Sequence, residues 1–156
     1  EDFPHNLKKE EVPVFLAKQK SNQFLKYLDH RTILITADTI VLTENEILNK
    51  PVNHEEAVKI LNRLSGSCHQ VLTGVCIKSK QKEIVFCVSS DVYFRKLDQE
   101  EIEFYIANYK PYDKAGAYGI QEWIGYIGIE RIEGSYYNVM GLPTQRLFIE
   151  LKAFVQ

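Results

Sequence analysis

Residues 31–42 read RTILITADTIVL, and the fold turns on how this run is taken. Thr, Ile and Val fill most of it, and β-branched side chains favour extended backbone. Such a run reads as a buried strand, and the helices predicted on either side of it suggest an α/β layer. Asp38 interrupts the run. A carboxylate there is costly to bury unless it is paired, hydrogen-bonded or bound to a metal. Strand ends in α/β sheets are also where ligands gather. Two readings of Asp38 stay open: it serves a site, or it ends the strand and caps the turn with Thr39.

On the N-terminal side, residues 10–28 (EEVPVFLAKQKSNQFLKYL) have helical periodicity. Pro13 is acceptable there because it falls in the first turn. Val12, Leu16, Phe24 and Tyr27 gather on one face, and Lys20 falls within that stripe while Lys18 points away. Lys20 either snorkels past the edge of the core or is aimed at an anion. On the C-terminal side, EILNKP (46–51) reads as a short strand or loop. Proline biases the residue before it toward extended backbone, so Lys50 is held in a loop.

A helix follows. Asn53 is its N-cap candidate, Glu56 completes a capping-box-like pattern, Leu61 and Leu64 share the Ala57 face, and Gly66 stops it. Residues 69–78 and 83–94 pair as strands around the polar turn SKQK. Asp98 with Glu101 starts another helix, which ends before Pro111. Residues 117–132 are read as strand-like and glycine-punctuated, and Pro143 suits the first turn of a final amphipathic helix, TQRLFIELKAF. This order predicts a single α/β domain over 1–156, a sheet flanked by helices.

Composition removes several classes of function. With 45% hydrophobic and 26% charged residues, the chain is an ordinary globular one. A net charge of -2 without a Lys/Arg cluster argues against a nucleic-acid footprint, though not against a small pocket of lysines. No apolar run is long enough to span a bilayer, so no membrane partner is expected. Cys68, Cys76 and Cys87 lack CxxC spacing and are expected as free thiols packed in a core, in the reducing environment of the cytoplasm. His5, His30, His54 and His69 form no zinc-binding pair. The chain opens on Glu-Asp-Phe-Pro rather than methionine, from which we expect that residues preceded it.

In KPYDKAGAYGIQ (110–121), Asp113 and Lys114 stand side by side before a run of small residues. They read as a surface turn or as a site where a ligand approaches the backbone. Ser65-Gly66 and Thr73-Gly74 read first as turn or bulge chemistry. GSYYNVMGLP (134–143) has the composition of a loop near a helix N-terminus. Together, one carboxylate and lysines 20, 50 and 114 on separate elements suit a magnesium-assisted phosphate site. No GxxxxGK[ST] loop is present, which excludes a P-loop enzyme.

These motifs carry a resemblance. ADT (37–39), NKP (49–51), LSG (64–66), TGV (73–75), PYDKAGAYGIQ (111–121), GSYYNV and GLP (134–143) occur in order. In this the chain resembles the Maf family of nucleoside triphosphate pyrophosphatases, long called septum formation inhibitor proteins. The resemblance implies an elongated mixed sheet flanked by helices, with a cleft between two lobes, often in homodimers. It implies hydrolysis of a nucleoside triphosphate to the monophosphate and pyrophosphate with a divalent cation, Mg²⁺ or Mn²⁺. Asp38 takes the place of the family's proton acceptor, activating water or holding it through the metal. Lys20, Lys50 and Lys114 match lysines that contact phosphate. Glu1 resembles a glutamate that partners metal or water, and Asp113 either binds metal or orients Lys114. Thr39 and Gln121 are similar to the branch acting on dTTP and UTP, modified nucleotides included, whereas the 7-methyl-GTP branch tends to carry Gln and Glu there. An amide offers a base edge both donor and acceptor, a carboxylate only acceptors.

Two departures stand out. The family's N-terminal strand and Ser-x-x-Arg-Arg phosphate loop do not occur in this sequence, and NKP replaces the usual GKP. Three readings follow: a cytoplasmic nucleotide pyrophosphatase, a nucleotide-binding regulator of division that needs no turnover, or an α/β domain whose lysines are merely solvated.

Overall fold

The computed structural model describes residues 3–4, 6–44 and 46–156. The helices are α1 (Glu11–Gln23), α2 (His54–Leu64), α3 (Gln99–Tyr109), α4 (Trp123–Gly128), α5 (Tyr136–Val139) and α6 (Thr144–Phe154). The strands are β1 (Leu34–Thr43), β2 (Glu46–Leu48), β3 (Cys68–Lys78), β4 (Glu83–Phe94) and β5 (Ile129–Glu133). They form one five-stranded sheet in the order β2-β1-β3-β4-β5. β2 pairs antiparallel with β1, aligning Val41 with Leu48, and β5 pairs antiparallel with β4, aligning Val92 with Ile132. The expected α/β class therefore stands. Among the described residues, no helix is long and apolar enough to cross a membrane.

The chain divides into two compact units, Glu1–Thr39 with Leu72–Ser89 and Tyr137–Gln156, and Ile40–Val71 with Ser90–Tyr136. In the first, successive strand residues face opposite ways, and that alternation sorts its layers. Thr36 donates to the Ala17 carbonyl at 2.7 Å, so the even positions of β1 face α1. Ala37, Val75 and Ile77 face the other way and pack with Leu147, Leu151 and Phe154 of α6. α1 is shorter than the sequence periodicity predicts. It ends at Gln23, and a 3₁₀ turn (Leu25–Tyr27) follows, so Phe24 and Tyr27 are exposed while Val12 and Leu16 are buried. Glu83 anchors α1 to the strands by accepting from Lys18 and Lys78, each at 2.8 Å. The two ammonium groups hold the Glu83 carboxyl below the usual range.

In the second unit, α2 packs on α3. Ala57, Ile60, Leu61 and Leu64 follow the i, i+3, i+4, i+7 spacing and are all buried. Each large aliphatic among them contributes about 2 kcal/mol through burial. The Asn53 side chain accepts from the Glu56 amide at 2.9 Å, as expected of an N-cap. The Glu56 carboxylate reaches one residue further back than a capping box requires, to the Val52 amide at 2.7 Å. At α3, by contrast, Asp98 and Glu101 make both halves of the box.

Two expectations are corrected. Residues 117–132 are not a strand: only 129–133 are, preceded by α4. Ile120, Ile124 and Gly128 lie four apart and are buried, a helical spacing that the glycines obscured. Of the three free cysteines, Cys76 is buried and Cys87 half-buried, but Cys68 is exposed, because it stands at the first residue of β3.

His69 lies in the core of this unit, its Nε2 within 2.7 Å of the Tyr118 hydroxyl and its Nδ1 without a partner among the described residues. Burial pushes its pKa down to about 4. The unfolded chain binds that proton near pH 6.5, so stability falls as pH drops from there toward 4, by on the order of 3 kcal/mol. His69→Gln should flatten the decline in urea midpoint between pH 6.5 and 4.5. An unchanged slope would contradict a neutral buried imidazole.

Candidate active site

Asp38 is buried on β1, with 6% of its side chain exposed. The burial is made tolerable by Lys20 of α1, whose ammonium donates to Asp38 Oδ1. The lysine is the more open partner, with 41% of its side chain exposed. Of the predicted stripe, Val12 and Leu16 are buried and Lys20 follows them along α1, whereas Phe24 and Tyr27 lie beyond the helix. One turn beyond Leu16, the Lys20 side chain crosses the rim of the α1 core and ends on a strand carboxylate. Lys18 points away to Glu83, as the periodicity indicated.

Thr39 faces the opposite side of β1 from Asp38. Its hydroxyl meets that of Thr73 at 2.9 Å and lies 3.5 Å from the Gly141 carbonyl. Thr73, fully buried, donates to the Asn138 carbonyl at 3.2 Å. The TGV and GSYYNV motifs thus meet through hydroxyls and backbone, pinning the loop after α5 to β3. Gly74, the next residue, lies on the α1 face, where a side chain would strike the Pro13–Val14 backbone.

The second unit holds Lys50, Asp113, Lys114 and Gln121. Lys50 is exposed directly after β2. Its neighbour Asn49 accepts from the Gly116 amide at 3.4 Å, tying the NKP loop to the DKAG loop. Pro111 opens a 3₁₀ turn after Lys110, which takes a left-handed backbone conformation and ends α3. That turn delivers Asp113 to the surface and Lys114 inward. Lys114 Nζ lies 2.9 Å from Asp113 Oδ1 and 3.3 Å from Glu122 Oε1. Burial disfavours the Lys114 ammonium, but the Asp113 and Glu122 carboxylates outweigh it and hold its pKa above the ordinary lysine value. Lys114, with a smaller contribution from Lys50, holds the Asp113 carboxyl below the usual range.

Two groupings emerge: Lys20 with Asp38, and Lys50 and Lys114 around Asp113. Gln121 stands exposed at the turn closed by the Glu122 amide on the Gly119 carbonyl at 3.0 Å. Glu1 lies outside the described residues. Glu122 and Tyr105 were not singled out from sequence. Tyr105 is one of the α3 core positions, and Glu122 carries no local signal at all. Chemically, the first grouping offers a buried carboxylate with a cation at its side, the second a pair of lysines on adjoining loops. Both suit an anionic, phosphate-bearing molecule.

The family model described as Maf-like protein matches residues 1–154. The chain is 53% identical to the dTTP/UTP pyrophosphatase of Parabacteroides distasonis over 154 residues, 99% of this chain and 80% of that protein. It is 52% identical to the dTTP/UTP pyrophosphatase of Porphyromonas gingivalis over 156 residues, covering 99% of this chain and 78% of the other. The like-named protein of Christiangramia forsetii is 53% identical over 152 residues, covering 97% and 78%. With its motifs in order and nearly its whole length matched, the chain belongs to the Maf family.

Proposed function

We infer that the chain is a nucleoside triphosphate pyrophosphatase acting on dTTP and UTP, releasing the monophosphate and pyrophosphate. The observation that carries this is the 53% identity over 99% of the chain to a protein of that activity. The Asp38–Lys20 pair supports it by offering a buried carboxylate with a cation at its side, chemistry that suits a phosphate-bearing substrate.

In this reading Asp38 accepts a proton as a water oxygen forms its bond to phosphorus and the α–β anhydride bond breaks. Lys20 keeps the carboxylate oriented until substrate arrives and then turns its charge to a phosphate oxygen. Lys50 and Lys114 bind the phosphates of the substrate by charge, holding ground state and transition state alike. Gln121 selects the base through its amide. The Thr39 hydroxyl is committed to Thr73 and Gly141, so its part in base choice runs through the loop it pins.

A divalent cation fits the donor chemistry. Among the described residues, no cluster of three or more metal-binding side chains exists. Magnesium, however, is held by one or two carboxylates together with substrate phosphates. Asp38 would hold it, with Asp113 a second candidate, and it would supply charge neutralisation at the phosphate oxygens.

Selectivity tests the reading. With Mg²⁺ present, dTTP and UTP should release pyrophosphate at least about tenfold faster, by kcat/KM, than CTP, GTP or 7-methyl-GTP. Equal rates across the panel, or a preference for 7-methyl-GTP, would overturn the assigned substrate class.

A further inference from the structure

We propose that Glu122 and Tyr105 are positioning residues for Lys114. The proposal rests on Lys114 being a phosphate ligand. Tyr105 is fully buried on α3, and its hydroxyl donates to Glu122 Oε2 while accepting from the Gly119 amide at 3.0 Å. Burial, and then the Glu122 carboxylate, push the Tyr105 phenol far above its ordinary pKa, so it remains a donor. The other Glu122 oxygen, Oε1, stands 3.3 Å from Lys114 Nζ.

Gly119 makes the arrangement compact. A methyl group there would come within 3.0 Å of Lys114 Cε and 3.2 Å of Glu122 Cδ, so both side chains lie across bare backbone.

The two carboxylates on Lys114 are not equivalent. Asp113 has 76% of its side chain exposed, and Glu122 only 20%. Glu122 is fixed by a core tyrosine, whereas Asp113 stands in solvent. An arriving phosphate oxygen can replace Asp113 at the ammonium while Glu122 keeps its hold. A lysine otherwise surrenders considerable rotamer entropy on binding, and pre-ordering it removes that cost from substrate affinity. An exposed ion pair without such an anchor would contribute little.

The test is a double-mutant cycle in kcat and KM for UTP with Mg²⁺, using Glu122→Gln, Lys114→Met and the double variant. Glutamine keeps an acceptor for Tyr105 and removes only the charge facing Lys114. Each single variant should raise KM about tenfold or more, with kcat within about threefold. The double variant should be no worse than Lys114→Met alone, a non-additivity that a purely structural role would not produce. Tyr105→Phe should raise KM in the same way and add nothing in the Lys114→Met background.

If Lys114→Met raises KM and Glu122→Gln stays within twofold, the positioning role is overturned while the phosphate role of Lys114 stands. Multiplying effects in the double variant overturn it likewise. An unchanged KM in Lys114→Met removes Lys114 from phosphate binding, and the positioning role with it.

Discussion

Asp38→Asn should lower kcat for UTP about a thousandfold while leaving the protein folded. General base catalysis contributes roughly 10²–10⁴ in rate, and asparagine cannot take up the proton. The fold should survive because the amide oxygen can still accept from Lys20, the group that makes burial of this position tolerable. Steady-state kinetics alongside a thermal melt would check both halves. Residual turnover within about tenfold of the parent enzyme would remove Asp38 from the proton-transfer step. The same variant separates a working hydrolase from a nucleotide-binding regulator, whose cellular effect would survive the substitution.

Gly74→Ala should cost at least about 3 kcal/mol of stability, at the severe end for one added methyl group. An added Cβ would lie 2.2 Å from the Pro13 carbonyl carbon and 2.3 Å from the Val14 nitrogen. Both are backbone atoms, so no side chain can rotate away, and the first turn of α1 must lift from β3. That helix carries Lys20, so activity should fall together with the urea midpoint. A midpoint shift worth less than about 1 kcal/mol would contradict the close approach of α1 to the strand.

Most of the fold was legible because local signals agreed with tertiary ones. The β-branched run around Asp38, the Asn53 and Asp98 caps and the SKQK turn each state their structure within a few residues. Residues 117–132 misled because glycines that let α4 pack closely also resemble strand punctuation. Phe24 and Tyr27 misled because the helical pattern continues past Gln23 while the backbone does not. Asp38 and Lys20 could be singled out for one shared reason: each is a charge in an apolar pattern. Their pairing could not be read, since they meet only once α1 has docked on β1. Glu122 was invisible because nothing local marks it. Its role depends on Tyr105 from α3 and Lys114 from a loop arriving at the same point. Thr39, adjacent in sequence to Asp38, faces the other side of the strand, which sequence adjacency hides and strand geometry requires.

Cleavage of the α–β anhydride bond can be followed by ³¹P NMR of the wild-type protein turning over UTP with Mg²⁺. Equimolar UMP and pyrophosphate should appear as the first products, with no UDP accumulating. Orthophosphate appearing together with UDP would place cleavage at the terminal phosphate and contradict the α–β site.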